Sequence, residues 1–321
     1  MAKNVMRVLM MSSTLMMAAN LAAAEDVVLG YIPASLEYPY NVATAKGFEE
    51  QAKELGATAL IVDPRGSVER QANAIDDLVS QGVDGVAALT LDGVVGQAWV
   101  DRLAESGIPY VSVATQIGDP EKRAWNDVYP GMAALVGMDN VRAGELSGEL
   151  AAEMLPRDRT AKIAIIEGAP GYPQSRQRSD GFKQGLDKAG IKYEIVSSQP
   201  TDWTAEAGEA VCQNVLIATP DVDLFFSQAD DMAIGCNRAL EAAESGALLI
   251  ATGGGSSLGL AAIEAGEIDA SVCDRPEYQG RLAAKALYDA VTKPDSPKGQ
   301  LVTFETPKIT KATLADCPPE W

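Results

Sequence analysis

Five carboxylates, Glu37, Asp92, Asp230, Asp231 and Asp274, fall at the ends of elements where a cleft would expose them. Paired acids of this kind are the minimum machinery for hydrolysing a glycosidic bond. Four of the five also begin or precede helices, where an acid stabilises the N-terminus, and that structural role accounts for most of them. The chain contains no histidine. Without it there is no usual neutral-pH general base, no Ser/His/Asp or Cys/His triad, and no imidazole zinc site. Much enzyme chemistry goes with it, and no catalytic residue, cofactor or metal is expected.

Aromatic residues make up only 6% of the chain, so their placement in loops is informative. Tyr38 and Tyr40 flank Pro39, Tyr172 follows a strand ending at Ile166, and Trp203 opens a helix after Pro200 and Asp202. Their ring faces suit the C–H faces of a sugar or polyol, while neighbouring polar groups pair its hydroxyls. Local packing over a loop is the competing role for each. Gly253, Gly254 and Gly255 follow a strand and precede a helix, but neither GxGxxG nor GxxxxGK[ST] spacing is present. They read as a tight turn bordering the cleft and not as a nucleotide site.

These residues are positioned by a regular alternation of short β-branched runs and amphipathic stretches. A first series has strands at Val27–Pro33, Thr58–Val62, Gly85–Ala88 and Tyr110–Val113, with helices at Asn41–Leu55, Ser67–Gln81 and Gly93–Glu105. A second has helices at Asn140–Leu155, Ser175–Ala189, Trp203–Thr219, Asp230–Ala243, Ser256–Ala265 and Pro276–Val291. Its strands are Lys162–Ile166, Glu194–Ser198, Leu224–Ser227, Leu248–Thr252 and one starting at Ser271–Cys273. Such alternation predicts an α/β fold of two doubly wound parallel-sheet lobes. Ligands in open sheets bind beyond the carboxyl ends of the strands, where the loops named above lie. Asp119–Gly131 and Thr292–Gly299, rich in Pro, Asp and Lys, resemble linkers.

The formal charge of -19 over 321 residues disfavours nucleic acid and anionic membrane surfaces as partners. Lys3 and Arg7, an apolar run from Val8 to Ala18, and Ala22, Ala23 and Ala24 predict a signal peptide over residues 1–24. Export to the periplasm follows, and it makes Cys212, Cys236, Cys273 and Cys317 disulfide candidates. Four cysteines allow three pairings. Helices at Trp203–Thr219 and Asp230–Ala243 flank one strand on the same face, which favours Cys212 with Cys236, leaving Cys273 and Cys317 for each other or free.

The run Ala34-Ser35-Leu36-Glu37-Tyr38-Pro39-Tyr40-Asn41 with Lys46-Gly47-Phe48 resembles the first loop and helix of the periplasmic ribose- and galactose-type binding proteins. Met138-Asp139-Asn140, the stretch from Ser175 to Phe182, Ser198-Gln199-Pro200-Thr201-Asp202-Trp203, and the run from Gln228 to Gly235 are similar to the same family in the same order. The resemblance covers nearly all of the chain beyond residue 24. It implies a type I periplasmic binding protein, the solute-binding component of an ABC sugar importer, with two lobes joined by a three-segment hinge. By it, the N-terminal lobe is 25–138 plus 274–305 and the C-terminal lobe 139–273 plus 306–321.

Carried over by position, the resemblance implies ligand contacts from Tyr38, Tyr40, Asn41, Ala114, Thr115, Arg176, Trp203, Ala229 and Gly253, with Asp274 at a hinge. Sugar-binding members commonly carry an Asp-Arg pair in place of Ala114-Thr115, an Asn in place of Ala229 and an Asp in place of Gly253. Three polar anchors of a sugar ring are thus replaced, and each made charge-assisted hydrogen bonds. The expected activity is capture of a sugar, polyol or sugar derivative by lobe closure and delivery to an inner-membrane ABC permease, by a monomer. The alternative is a periplasmic sensing module for a chemoreceptor or histidine kinase.

Overall fold

The computed structural model describes residues 27–293 and 295–321. The predicted signal peptide, 1–24, lies outside the described residues. In chain order the strands are β1 Val28–Ile32, β2 Thr58–Ile61, β3 Gly85–Ala88, β4 Tyr110–Val113, β5 Ala134–Val136, β6 Ala161–Glu167, β7 Tyr193–Pro200, β8 Leu224–Ser227, β9 Leu248–Ala251, β10 Ser271–Val272, β11 Gln300–Val302 and β12 Lys308–Ile309. The helices are α1 Pro39–Glu54, α2 Val68–Ser80, α3 Gly93–Glu105, α4 Asn140–Met154, α5 Pro173–Lys188, α6 Ala205–Ala218, α7 Asp230–Ala242, α8 Ser257–Ala265 and α9 Pro276–Thr292.

Two sheets carry the two expected series. The first runs β11-β5-β4-β3-β1-β2 and is parallel throughout. The second runs β7-β6-β8-β9, also parallel, and a parallel bridge from Ile250 to Ala270 leads toward β10, which pairs antiparallel with β12. The chain passes between the sheets three times: between β5 and α4, between β10 and α9, and between β11 and β12. Strands β3, β4 and β8 are buried along their whole length, as sheets covered on both faces require.

Helix pairs on the faces approach closely because glycines line their contacts. Gly144 and Gly148 of α4 and Gly181 and Gly185 of α5 each lack room for a side chain, since a Cβ there would lie within 2.3 Å of the opposing backbone. Ser67 and Asp92 cap α2 and α3 by accepting backbone N–H bonds, the stabilising role for which short polar side chains are selected at that position. Both cysteine pairs are formed, Cys212–Cys236 tying α6 to α7, and Cys273–Cys317. Strands β5, β11 and β12 are absent from the sequence-based expectation. They have three, three and two residues, too few for an alternating pattern to register.

Candidate functional site

A cavity of about 130 Å³ lies between the lobes, walled by the loops that follow the carboxyl ends of the strands. From the first lobe come Ala34 and Tyr38 after β1, Leu89 after β3 and Ala114 after β4. From the second come Tyr172 and Gln174 after β6, Trp203 after β7, Ala229 after β8 and Gly253 after β9. The lobes also touch across its edge, where Gln177 Nε2 donates to Gln116 Oε1 at 2.8 Å and Arg176 pairs with Glu121 at 2.8 Å.

Local sequence brings aromatic rings to this wall twice by the same device. Tyr38-Pro39 opens α1 and Tyr172-Pro173 opens α5, each with the tyrosine at the cap position and proline in the first turn, where a missing N–H costs nothing. Neither tyrosine caps its helix, so both rings remain available to the cavity. Trp203 differs from expectation. It does not open α6 but precedes the Thr204 cap, with φ at 72°, a left-handed conformation that costs a non-glycine residue about 1–2 kcal/mol. Its indole lies over Gly168, where a Cβ would come within 1.8 Å of the ring, and meets Tyr172 edge-on at 5.9 Å between centroids. Ala114 is also left-handed, with φ at 60°. Among the described residues, two of the four left-handed non-glycine residues thus line this cavity, and stored backbone strain of this kind concentrates at functional sites.

The charged centre is Arg178 with Asp274. Arg178 Nε donates to Asn140 Oδ1 at 2.9 Å and its Nη1 to the Gln228 carbonyl, while the guanidinium stands 6.0 Å from the Trp203 ring centre. Gly253 makes room for it, since a Cβ there would fall 2.6 Å from Nη1. Burial lowers the Arg178 pKa, and the nearby Asp274 and Tyr40 oppose that shift. Asp274 is only 1% exposed, and burial raises its carboxyl above the ordinary range against the pull of Arg178, the Arg275 backbone N–H and the Tyr40 hydroxyl. Burial, then the Asp274 charge, raises the Tyr40 hydroxyl in turn. Asn41 Oδ1, Gln174 Oε1 and both amide atoms of Gln279 are buried at the cavity with no protein partner among the described residues. Buried polar atoms are rarely left so, which makes these four the natural partners of ligand hydroxyls.

Of the residues singled out from sequence, Tyr38, Tyr40, Asn41, Trp203 and Asp274 line the cavity, as do Ala114, Ala229 and Gly253. Thr115 is fully buried but stands behind Ala114, outside the lining. The expected placement of Arg176 is corrected: its side chain is 55% exposed and pairs with Glu121 and Asp180. Two residues along a helix is a rotation of about 200°, so Arg176 and Arg178 point to opposite sides of α5 and only Arg178 reaches the cavity. Asn140, Gln174, Gln279 and Trp321 were not singled out from sequence. Asn140 had a signal, the Met138-Asp139-Asn140 run that resembles the family, but Gln279 lies within a helix and Trp321 beyond every recognised motif. Asp230 and Asp231 line the cavity as expected, and Asp230 also has a structural role: Oδ2 accepts from Gly255 N, Ser256 N and Ser256 Oγ at 2.9–3.1 Å and fixes the loop after β9. Asp92 serves as the α3 cap.

Two parallel-sheet lobes enclose, between their carboxyl edges, a cavity lined by aromatic rings, Arg178 and the carboxylates of Asp230, Asp231 and Asp274, the arrangement of a solute-binding protein. The chain belongs to the periplasmic binding protein family, whose domain matches residues 29–295. It is 30% identical to the D-allose-binding periplasmic protein of Escherichia coli, over 84% of this chain and 85% of that one. Identity to the ribose import binding protein of Bacillus subtilis is 29%, over 84% of each. The Caulobacter myo-inositol binding protein, solved with myo-inositol bound, superposes with a TM-score of 0.81 at 25% identity, covering 91% of this chain and 95% of that chain. As a member of this family, which is one of binding proteins and not of catalysts, the chain is a solute-binding protein for a small polar ligand.

Proposed function

We propose that this chain captures a monosaccharide or cyclic polyol in the periplasm and delivers it to an inner-membrane ABC permease. The observation that carries the reading is the cavity itself: Tyr40, Tyr172 and Trp203 present ring faces while Arg178, Asp274 and four unpartnered amide atoms present hydrogen-bonding groups. Its volume of about 130 Å³ is near that of cavities known to hold a single six-membered ring, ~150 Å³ on the same scale, which suits one sugar ring and not an oligosaccharide. The similarity to ribose, D-allose and myo-inositol binders supports the same class.

The replaced anchors refine the class. Ala114, Ala229 and Gly253 supply no side-chain hydrogen bonds, so polar recognition rests on Arg178, the carboxylates of Asp230, Asp231 and Asp274, and the unpartnered amides, beside the aromatic rings. Binding across both lobes stabilises the closed form selectively, which is how capture becomes a signal to the permease. Calorimetry of Trp203→Ala tests the site. A buried aromatic anchor contributes about 2 kcal/mol or more, so the variant loses at least that much binding free energy with its fold retained. A folded variant that binds within twofold of the parent places the ligand elsewhere.

A further inference from the structure

Residues 317–321 lie beyond the matched family domain, which ends at residue 295, yet they reach the cavity. Cys317 is joined to Cys273, the residue before Asp274, and both sulfurs are fully buried. Gly255, at φ 108°, leaves the seat for that bond, since a Cβ there would lie 2.6 Å from Cys317 Sγ. Beyond Pro318 and Pro319, Glu320 accepts from Arg275 Nε and Tyr278 N, both at 3.1 Å, at the start of α9. Trp321 then lines the cavity, its carbonyl accepting from Ser257 N and Oγ at 2.8 Å each on the second lobe. Its ring meets Tyr40 of the first lobe edge-on, 5.9 Å between centroids at 85°.

We propose that the Cys273–Cys317 disulfide holds residues 318–321 as a wall of the ligand cavity, with Trp321 a specificity-determining residue. The inference rests on the cavity being the ligand site. Four residues anchored by a disulfide, an ion pair and three hydrogen bonds, two of them prolines, have little freedom left to lose when a ligand arrives. Such preorganisation converts contact into affinity instead of ordering cost. An indole at this place also closes the cavity on the Tyr40 side, so ring size and edge chemistry are selected there by shape. The strap reaches both lobes, through Ser257 and through Tyr40, and its aromatic contact is completed when the lobes are together.

Three proteins test this: the parent, Trp321→Ala, which keeps the disulfide, and Cys273→Ala/Cys317→Ala. Each is titrated calorimetrically with D-ribose, D-allose and myo-inositol. In both variants the tightest probe is expected to weaken by about 10–30-fold, the range of a lost aromatic anchor, and its margin over the next probe to shrink. Affinities and margins within twofold of the parent overturn the proposal. A second readout needs no ligand. In a Trp203→Phe background, with Trp99 and Trp125 buried, acrylamide quenching reports Trp321. Trp321 is expected to be shielded with the disulfide present and readily quenched without it, and equal quenching overturns the strap. If the parent binds none of the three probes, it is the ligand class proposed above that fails, and the quenching comparison still decides whether the disulfide holds Trp321 in the wall.

Discussion

Replacing Arg178 with methionine isolates the electrostatics of the cavity. The substitution removes two hydrogen bonds, to Asn140 Oδ1 and the Gln228 carbonyl, and the cation facing Asp274. Leaving those two acceptors unpaired costs about 1 kcal/mol each at any pH. The remaining cost depends on the charge of Asp274, whose folded pKa burial already raises. A carboxyl with a raised folded pKa holds more protons in the folded state. Its stabilising contribution is therefore complete below the unfolded pKa of about 3.9 and is lost as pH rises through the folded value. Removing Arg178 raises that value further and extends the loss to higher pH. At about pH 4.5 the variant should be destabilised by roughly 2 kcal/mol, and at about pH 8 by more, because an ionised Asp274 is then buried without the nearby guanidinium. Urea unfolding of the non-reduced proteins at both pH values measures this, with Arg176→Met as a control expected to change stability by under about 0.5 kcal/mol. Adding Asp274→Asn to Arg178→Met should abolish the pH-dependent part. A loss that is equal at both pH values, or one that Asp274→Asn leaves unchanged, would refute the assignment of Arg178 as the counter-charge of Asp274.

Two further outcomes are expected. Cys212 and Cys236 are 24 residues apart, and in the loop-entropy account their bond contributes about 3.5 kcal/mol; Cys212→Ala/Cys236→Ala should lower the urea midpoint accordingly, and an unchanged midpoint would show that the cross-link does not constrain the unfolded chain. If residues 1–24 are a signal peptide, protein recovered from the periplasm begins at Glu25 by N-terminal sequencing, and an intact Met1 in that fraction contradicts export by cleavage.

The fold was legible because its inner parallel strands, such as β3, β4 and β8, are buried on both faces and its helices are bounded by Ser, Asp, Pro and Gly, which leave a rhythm in composition. Where an element is two or three residues long, as β5, β11 and β12 are, there is no period to read, and pairing with an existing sheet edge decides the structure instead. The cavity was legible where local chemistry announced it: tyrosines beside helix-opening prolines, and a tryptophan in a loop. Arg178 was not distinguished from Arg176 because the choice rests on which face of α5 meets the other lobe, a tertiary fact. The left-handed φ of 72° that sets Trp203 before the Thr204 cap has no local sequence signal, and the room for its ring comes from the distant Gly168. Trp321 could not be placed without knowing that Cys317 pairs with Cys273, since the disulfide, and not any local pattern, carries the segment to the cavity.

The most direct test of a small polar ligand held between the lobes is a thermal-shift screen against pentoses, hexoses, cyclic polyols, amino sugars and sugar acids, run on the parent and on Trp203→Ala. A ligand at a hundred times its dissociation constant stabilises the folded state by about 2.7 kcal/mol, a rise of several degrees in Tm. The parent should show such a rise with at least one compound of these classes, and Trp203→Ala should lose most of it at the same concentration. No stabilisation of the parent by any of them, or the same stabilisation in both proteins, would contradict the account.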